Sequence, residues 1–382
     1  MINSKGWLRR RGEGIQDQFV TTNLDTLATA LYVTTDDLLK DSPQLAPYRP
    51  EIGIGPRLSD AELVTLAVMQ ALLGFSSEAR WLRHARAHLR HLFPYLPQQP
   101  GYNKRLRAAG PMIRHCIRVL AADTTVWTDD VWVVDSTPVE CGRSRETARR
   151  SDLAGWAEYG YCASHSRYFW GLRLHLVCTL QGLPVAFALT GAKADEREVL
   201  AGMFTAGPDL VIARPGQTLI GDKNYYGAAF EAAMACEGIR LLRPARKGEP
   251  ARAGAHLFKP LRQIIESVND TFKGQLDLER HGGHTPGGVM VRVLQRILAL
   301  TAASRVAGGN LTPRLPQNPY VKISLHTALV TLVTRSGRLT SSIASARTGG
   351  GSAQPRLPGS GVPSSARPAV CISCGSTAPG RR

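Results

Sequence analysis

The 382-residue chain has little that would carry it across a membrane. Its longest apolar stretch, Leu63 to Phe75, is 13 residues and is interrupted by Thr65 and Gln70, against the roughly 20 that a membrane helix needs. The opening M-I-N-S-K-G-W-L-R-R-R has basic residues but no apolar core after them, so no secretory signal is read there and a cytoplasmic, nucleoid-associated location is expected. Cysteine is sparse: seven residues, all isolated except Cys371 and Cys374, which excludes a disulfide framework. That last pair is a lone C-x-x-C in a Gly/Ser/Pro-rich tail and is assigned no role; without a Cys/His cluster, zinc is not expected.

The most local absence is that of acids. From Arg305 to Arg382 there are ten Lys/Arg and no Asp or Glu. Of the net charge of +17, the first 304 residues therefore hold 37 − 30 = +7. The overall charge points to a polyanionic partner, but more than half of it belongs to the tail. Residues 305–382, rich in Ser, Thr, Gly, Pro and Arg, are expected to be a disordered basic segment with at most nonspecific DNA affinity.

The whole chain is 43% hydrophobic, and the first 304 residues are long enough for two folded regions. Residues 1–120 read as helical. Asn23 is placed to cap one helix. Ser59-Asp60-Ala61-Glu62 is a capping box with Leu58 and Leu63 as its staple, opening a helix that Gly74 ends. Another helix is expected from Glu78 to Leu92, with Leu82, Ala85, Leu89 and Leu92 on one face and Arg83, Arg86 and Arg90 beside it. Followed by Tyr102-Asn103-Lys104-Arg105-Leu106-Arg107, that basic face is either a phosphate-binding element or a solvated surface. His84 and His88 lack the Glu of H-E-x-x-H and read as surface histidines.

From Val126 the period changes to that of strands. Strands are expected at Val131 to Asp135, Tyr168 to Leu180, Leu183 to Leu189, Gln217 to Gly221 and Ile239 to Arg243. Gln181-Gly182 turns the second into the third as a hairpin. Helices are expected at Asp195 to Phe204, Gly227 to Glu237 and Phe258 to Phe272, which gives the order of a ribonuclease-H-like core over residues 126–304. The fold class is therefore α/β: a mixed sheet flanked by helices, preceded by a helical region and followed by the basic tail.

That order gives three acids a common location. Asp135 closes V-W-V-V-D-S-T-P at the end of the first strand, Asp222 follows the fourth in T-L-I-G-D-K-N-Y-Y-G, and Glu266 lies in the helix L-R-Q-I-I-E-S-V-N-D-T-F-K. Each alone reads as a turn residue or a solvent-facing carboxylate. Jointly they form a trio able to hold hard, oxygen-preferring cations against a phosphodiester.

The segment Arg262, three residues, Glu266, six residues, Lys273 resembles the C-terminal signature of DDE transposases of bacterial insertion sequences. In that signature a Tyr stands three places before the Arg, where this chain has Lys259. V-V-D-S-T-P-V, I-G-D-K-N-Y-Y-G and R-Y-F-W-G-L-R-L-H-L-V are also similar to that family's motifs. The resemblance implies that Asp135, Asp222 and Glu266 are the catalytic triad, binding two Mg²⁺ (or Mn²⁺). It implies hydrolysis at the element end, followed by attack of the freed 3′-hydroxyl on target DNA by at least a dimer. It further implies that Lys273, Arg262 and Lys223 bind DNA phosphates near the site; Arg262 is also spaced to brace Glu266 as an i, i+4 pair. His175, in a strand, reads as a packed core residue. A nuclease of the same fold and a catalytically silent DNA-binding derivative remain open at this point.

Overall fold

A computed structural model describes residues 24–305 except 50, 51, 53, 163–165, 253, 254, 256 and 257. The basic tail, the expected cap Asn23 and the Cys371/Cys374 pair lie outside the described residues.

The chain begins with helices: α1 (24–41), α2 (Asp60–Leu72), α3 (Glu78–His88), α4 (Gln99–Ala108) and α5 (Gly110–Ala122). The capping box forms as expected: the Ser59 hydroxyl accepts from the Glu62 amide at 3.0 Å while the Glu62 carboxylate accepts from the Ser59 amide at 2.5 Å. Such a reciprocal cap satisfies two amides that a helix start leaves free. By contrast α3 stops at His88, four residues short of the expected end. The chain turns at Leu89, whose carbonyl takes the amides of both Leu92 and Phe93, and Phe93 is buried just ahead of Pro94. Arg90 therefore lies beyond the helix, and the predicted basic face is shorter than the periodicity suggests.

The sheet is built from β1 (Val131–Gly142), β2 (Glu158–Cys162), β3 (Arg167–Thr179), β4 (Pro184–Gly191), β5 (Thr218–Ile220) and β6 (Arg240–Leu242). A short helix α6 (Arg145–Arg150) precedes β2; α7 (Glu196–Ala206) and α8 (Asp209–Ile212) follow β4, and α9 (Ala228–Cys236) joins β5 to β6. Beyond them come α10 (Phe258–Asp270), a π turn (Thr271–Gln275) and α11 (Pro286–Arg305).

β3 is the spine of the antiparallel half. One of its edges pairs with β1; the other pairs with β2 at its start and β4 thereafter. β1 also pairs in parallel with β5, and β5 with β6, so the order is β2/β4, β3, β1, β5, β6. With β2 set aside as an addition, three antiparallel strands and two parallel ones joined through helices form a ribonuclease-H-like core, as the sequence led us to expect.

Alternation along β1 splits the core between the two sheet faces. Val131 and Val133 join Leu174, Leu176, Ile264, Ile265 and the buried face of α11 on one side. Trp132 and Val134 join Val177, Leu200 and Met203 on the other. The first of these cores is continuous with the N-terminal helices, because α11 packs against α2, α4 and α5.

Candidate active site

Asp135 is not at the end of its strand. β1 continues to Gly142 because the 13-residue β3 keeps pairing with it, Asp135 opposite Leu176. The parallel ladder with β5 ends earlier, at Val133 opposite Ile220. Past that point the β5 side of β1 is open, and the chain leaving β5 carries Asp222 two residues further on. The two aspartates thus meet at the carboxyl end of the parallel strands, where α/β proteins place ligands.

Their environments are shaped by different elements. Asp135 lies on the sheet face covered by α10, and its Oδ2 accepts from Asn269 Nδ2 at 3.0 Å. Asp222 Oδ1 accepts from the Asn224 amide at 2.8 Å, an Asx turn that fixes the loop. Gly221 is required there: a Cβ on it would stand 2.7 Å from the buried Tyr225 ring. Burial, with the nearby charges of Glu196 and Asp222, pushes the Asp135 carboxyl up to about 6. Burial and Glu196 also raise Asp222.

Glu266 stands on α10 three residues before Asn269, hence on the same helix flank, and lines the same cavity of about 600 Å³ as Asp135, Asp222 and Arg262. Its carboxylate is turned to Arg262 Nε at 2.8 Å, the i, i+4 pair anticipated from spacing. The Arg262 guanidinium acts electrostatically on Asp135 and Asp222 as well as Glu266. It is the counter-charge of an acidic cluster. Among the described residues no three His, Cys, Asp or Glu side chains stand close enough together to hold a metal ion. The structure therefore brings Asp135 and Asp222 together and leaves Glu266 at the cavity wall, engaged with Arg262.

These donors nevertheless suit a hard divalent cation. They are oxygen ligands only, both aspartates are disfavoured in their charged form by burial and by like charge, and Asn269 Oδ1 is buried with no hydrogen-bond partner.

Four contributors escaped the sequence reading. Asn269 had a usable signal, its i+3 spacing from Glu266. Glu196 had none: it opens α7, and only tertiary structure sets it behind β1, accepting from Ser136 Oγ at 2.5 Å and Arg173 Nη1 at 3.2 Å. Its neighbour Arg197 donates to the Tyr226 carbonyl at 3.1 Å. The first turn of α7 thus grips both the strand of Asp135 and the loop of Asp222. Tyr225, whose buried hydroxyl has no partner, is held far above its usual pKa by burial and by Glu196, Asp135 and Asp222.

The remaining predicted residues divide. Lys223 and Arg83 are exposed, while Lys273 is half-buried. Lys273 falls in the π turn, whose wider winding removes it from the α-helical register with Glu266 that the sequence suggested. Arg86 gives its Nη2 to the Pro97 carbonyl at 2.7 Å and is structural. In the stretch after it, Tyr102 bonds Gln70, Asn103 bonds Glu78 and Arg105 bonds Asp60, leaving Lys104 and Arg107 exposed. His175 is a core residue as expected, its Nε2 3.0 Å from Thr190 Oγ1 and its pKa lowered to about 3 by burial.

A ribonuclease-H-like sheet with a coupled carboxylate pair at the end of its parallel strands defines the class. Residues 127–302 match the family model of the transposase DDE domain, and this part of the chain is a DDE-type transposase domain. The search of curated proteins found no match. Transposases of this kind act on DNA and generally use divalent metals. Among the described residues no helix is long and apolar enough to cross a membrane.

Proposed function

We propose that the protein is a transposase that cleaves DNA at the ends of a mobile element and joins those ends to target DNA, dependent on Mg²⁺ or Mn²⁺. The observation that carries this reading is the coupled Asp135/Asp222 pair inside the matched segment. Asp135 and Asp222 would hold the cations, joined by Glu266 once Arg262 turns away. Bound there, paired divalent cations supply an activated attacking oxygen and a stabilised leaving oxygen. Asn269 orients the Asp135 carboxylate through its amide donor. Arg262, freed from Glu266, would take a DNA phosphate at the cavity wall, and exposed Lys223, next in sequence to Asp222, another.

The helical region (1–120) is proposed to hold DNA through exposed cations such as Arg83, Lys104 and Arg107. Pairing two element ends calls for at least two copies.

Purified protein incubated with a labelled end fragment, a target plasmid and Mg²⁺ should yield joined products. Cleavage without joining would replace this reading by a nuclease, and a mobility shift alone by a silent DNA-binding protein. Lys273→Ala should weaken binding to the end fragment and reduce the slope of log K against log salt by about one unit, the value of one lost phosphate contact. An unchanged slope would mark Lys273 as a solvated side chain of the π turn.

A further inference from the structure

β2 and the start of β3 form an addition to the core sheet, and the outward face of this hairpin is aromatic. Tyr159, Tyr161 and Tyr168 are 49%, 47% and 78% exposed. Tyr161 and Tyr168 are register partners with ring centroids 5.1 Å apart, and Tyr159 lies two residues along the same strand face. Exposed apolar clusters of this kind mark binding surfaces rather than leftover core.

The surroundings say what it binds. Helix α6 lies against this face: a Cβ built on Gly142 meets Thr147 at 3.0 Å and Trp170 at 3.1 Å, and Trp170 is the register partner of Tyr159. On α6, Arg145 and Arg149 are exposed and make no ion pair among the described residues. Along β3, Tyr168 has the same parity as Leu176, the partner of Asp135, so the rings share the sheet face of the acidic site. Eight residues separate those positions, roughly 26 Å of strand, or about eight nucleotide steps.

We propose that this aromatic ledge binds single-stranded DNA, its tyrosines stacking on unpaired bases while Arg145 and Arg149 hold the strand's phosphates. Ring faces stack on any base but find no counterpart on a closed duplex, whose outer surface is phosphate and sugar. The inference rests on the transposase reading, in which cleavage frees a strand end, and it names the part of the substrate the ledge would hold.

The test compares the full chain with Tyr161→Ala/Tyr168→Ala by fluorescence anisotropy. Probes are a labelled single-stranded oligonucleotide and the blunt duplex of the same sequence, at fixed salt and without metal. Single-strand affinity should fall about 10-fold or more, given the usual loss on removing a stacking ring, while duplex affinity stays within about twofold. Tyr161→Trp/Tyr168→Trp, which keeps the stacking faces, should retain single-strand affinity. Unchanged single-strand affinity in the Ala variant, equal weakening of both probes, or loss of a sedimenting dimer with single-strand binding intact would overturn the proposal. Joining by the wild-type protein is scored separately, so its presence or absence reports on the transposase reading and not on the ledge.

Discussion

Asp135→Asn is expected to abolish DNA cleavage and, at the same time, to make the folded chain more stable near neutral pH. Loss of a carboxylate proposed to hold the cations should lower cleavage by well over 100-fold, since removing even outer partners of metal ligands lowers activity or affinity 10- to 100-fold. The gain in stability follows from the raised pKa. In the folded chain the Asp135 carboxyl titrates at about 6, against 3.8 for an ordinary aspartate, with burial the largest cause. A carboxylate whose folded pKa lies above its unfolded one opposes folding: the penalty is full above pH 6, shrinks as pH falls, and is gone below about 4. At pH 7.5 it is on the order of 2 to 3 kcal/mol. Asparagine carries no charge and can still accept from Asn269, so most of that penalty should disappear and Tm should rise by several degrees. The rise should vanish at pH 4, where the parent carboxyl is also neutral. Mg²⁺ or Mn²⁺ should raise the parent's Tm and leave the variant's nearly unmoved. Cleavage near the parental rate, or a variant less stable at pH 7.5 than its parent, would refute the assignment.

That same residue shows where sequence reading succeeds and where it stops. The capping box at Ser59, the hairpin through Gln181-Gly182 and the Arg262–Glu266 pair are set by neighbours three, four or two positions apart, and each was visible in the letters. The order of β1, β3, β4, α7, β5, α9, β6 and α10 followed from period and turn residues. The length of β1 did not, because Ser136-Thr137-Pro138 has the composition of a turn. The strand continues through Pro138 since only its β3 side is paired there, opposite Arg173, and a proline can occupy a position with one open edge. β2 was missed for a related reason: E-Y-G-Y-C is short, carries a central glycine and is ordered by pairing with β3. Glu196 could not be found locally at all. The π turn after Asp270 likewise has no letter code, and it displaces Lys273 from the face that 3.6-residue winding would give it.

Arg292→Met is expected to destabilise the chain more than any substitution at the acidic site. Arg292 on α11 and Glu78 at the start of α3 form an ion pair in which both side chains are 6% exposed. Asn103 Nδ2 completes it, donating to the two Glu78 oxygens at 2.7 and 2.9 Å, and Arg292 Nη1 donates to Gln295 at 3.0 Å. Replacing the pair by apolar residues can be neutral, but removing one partner strands a charge in the core, which costs about 3 to 5 kcal/mol. Glu78→Gln/Arg292→Met, which removes both charges, should recover a large part of that loss, and chemical denaturation of the two variants beside the parent measures it. A loss under about 1 kcal/mol in the single variant would mean that water reaches Glu78 and the pair is not sealed. The consequence reaches the domain boundary. α11 closes the matched transposase segment, yet it buries its apolar face against α2 and α5 and its charge against α3. A fragment beginning at residue 126 would expose that face and leave Arg292 without its carboxylate, so the helical region and the sheet should unfold in one transition.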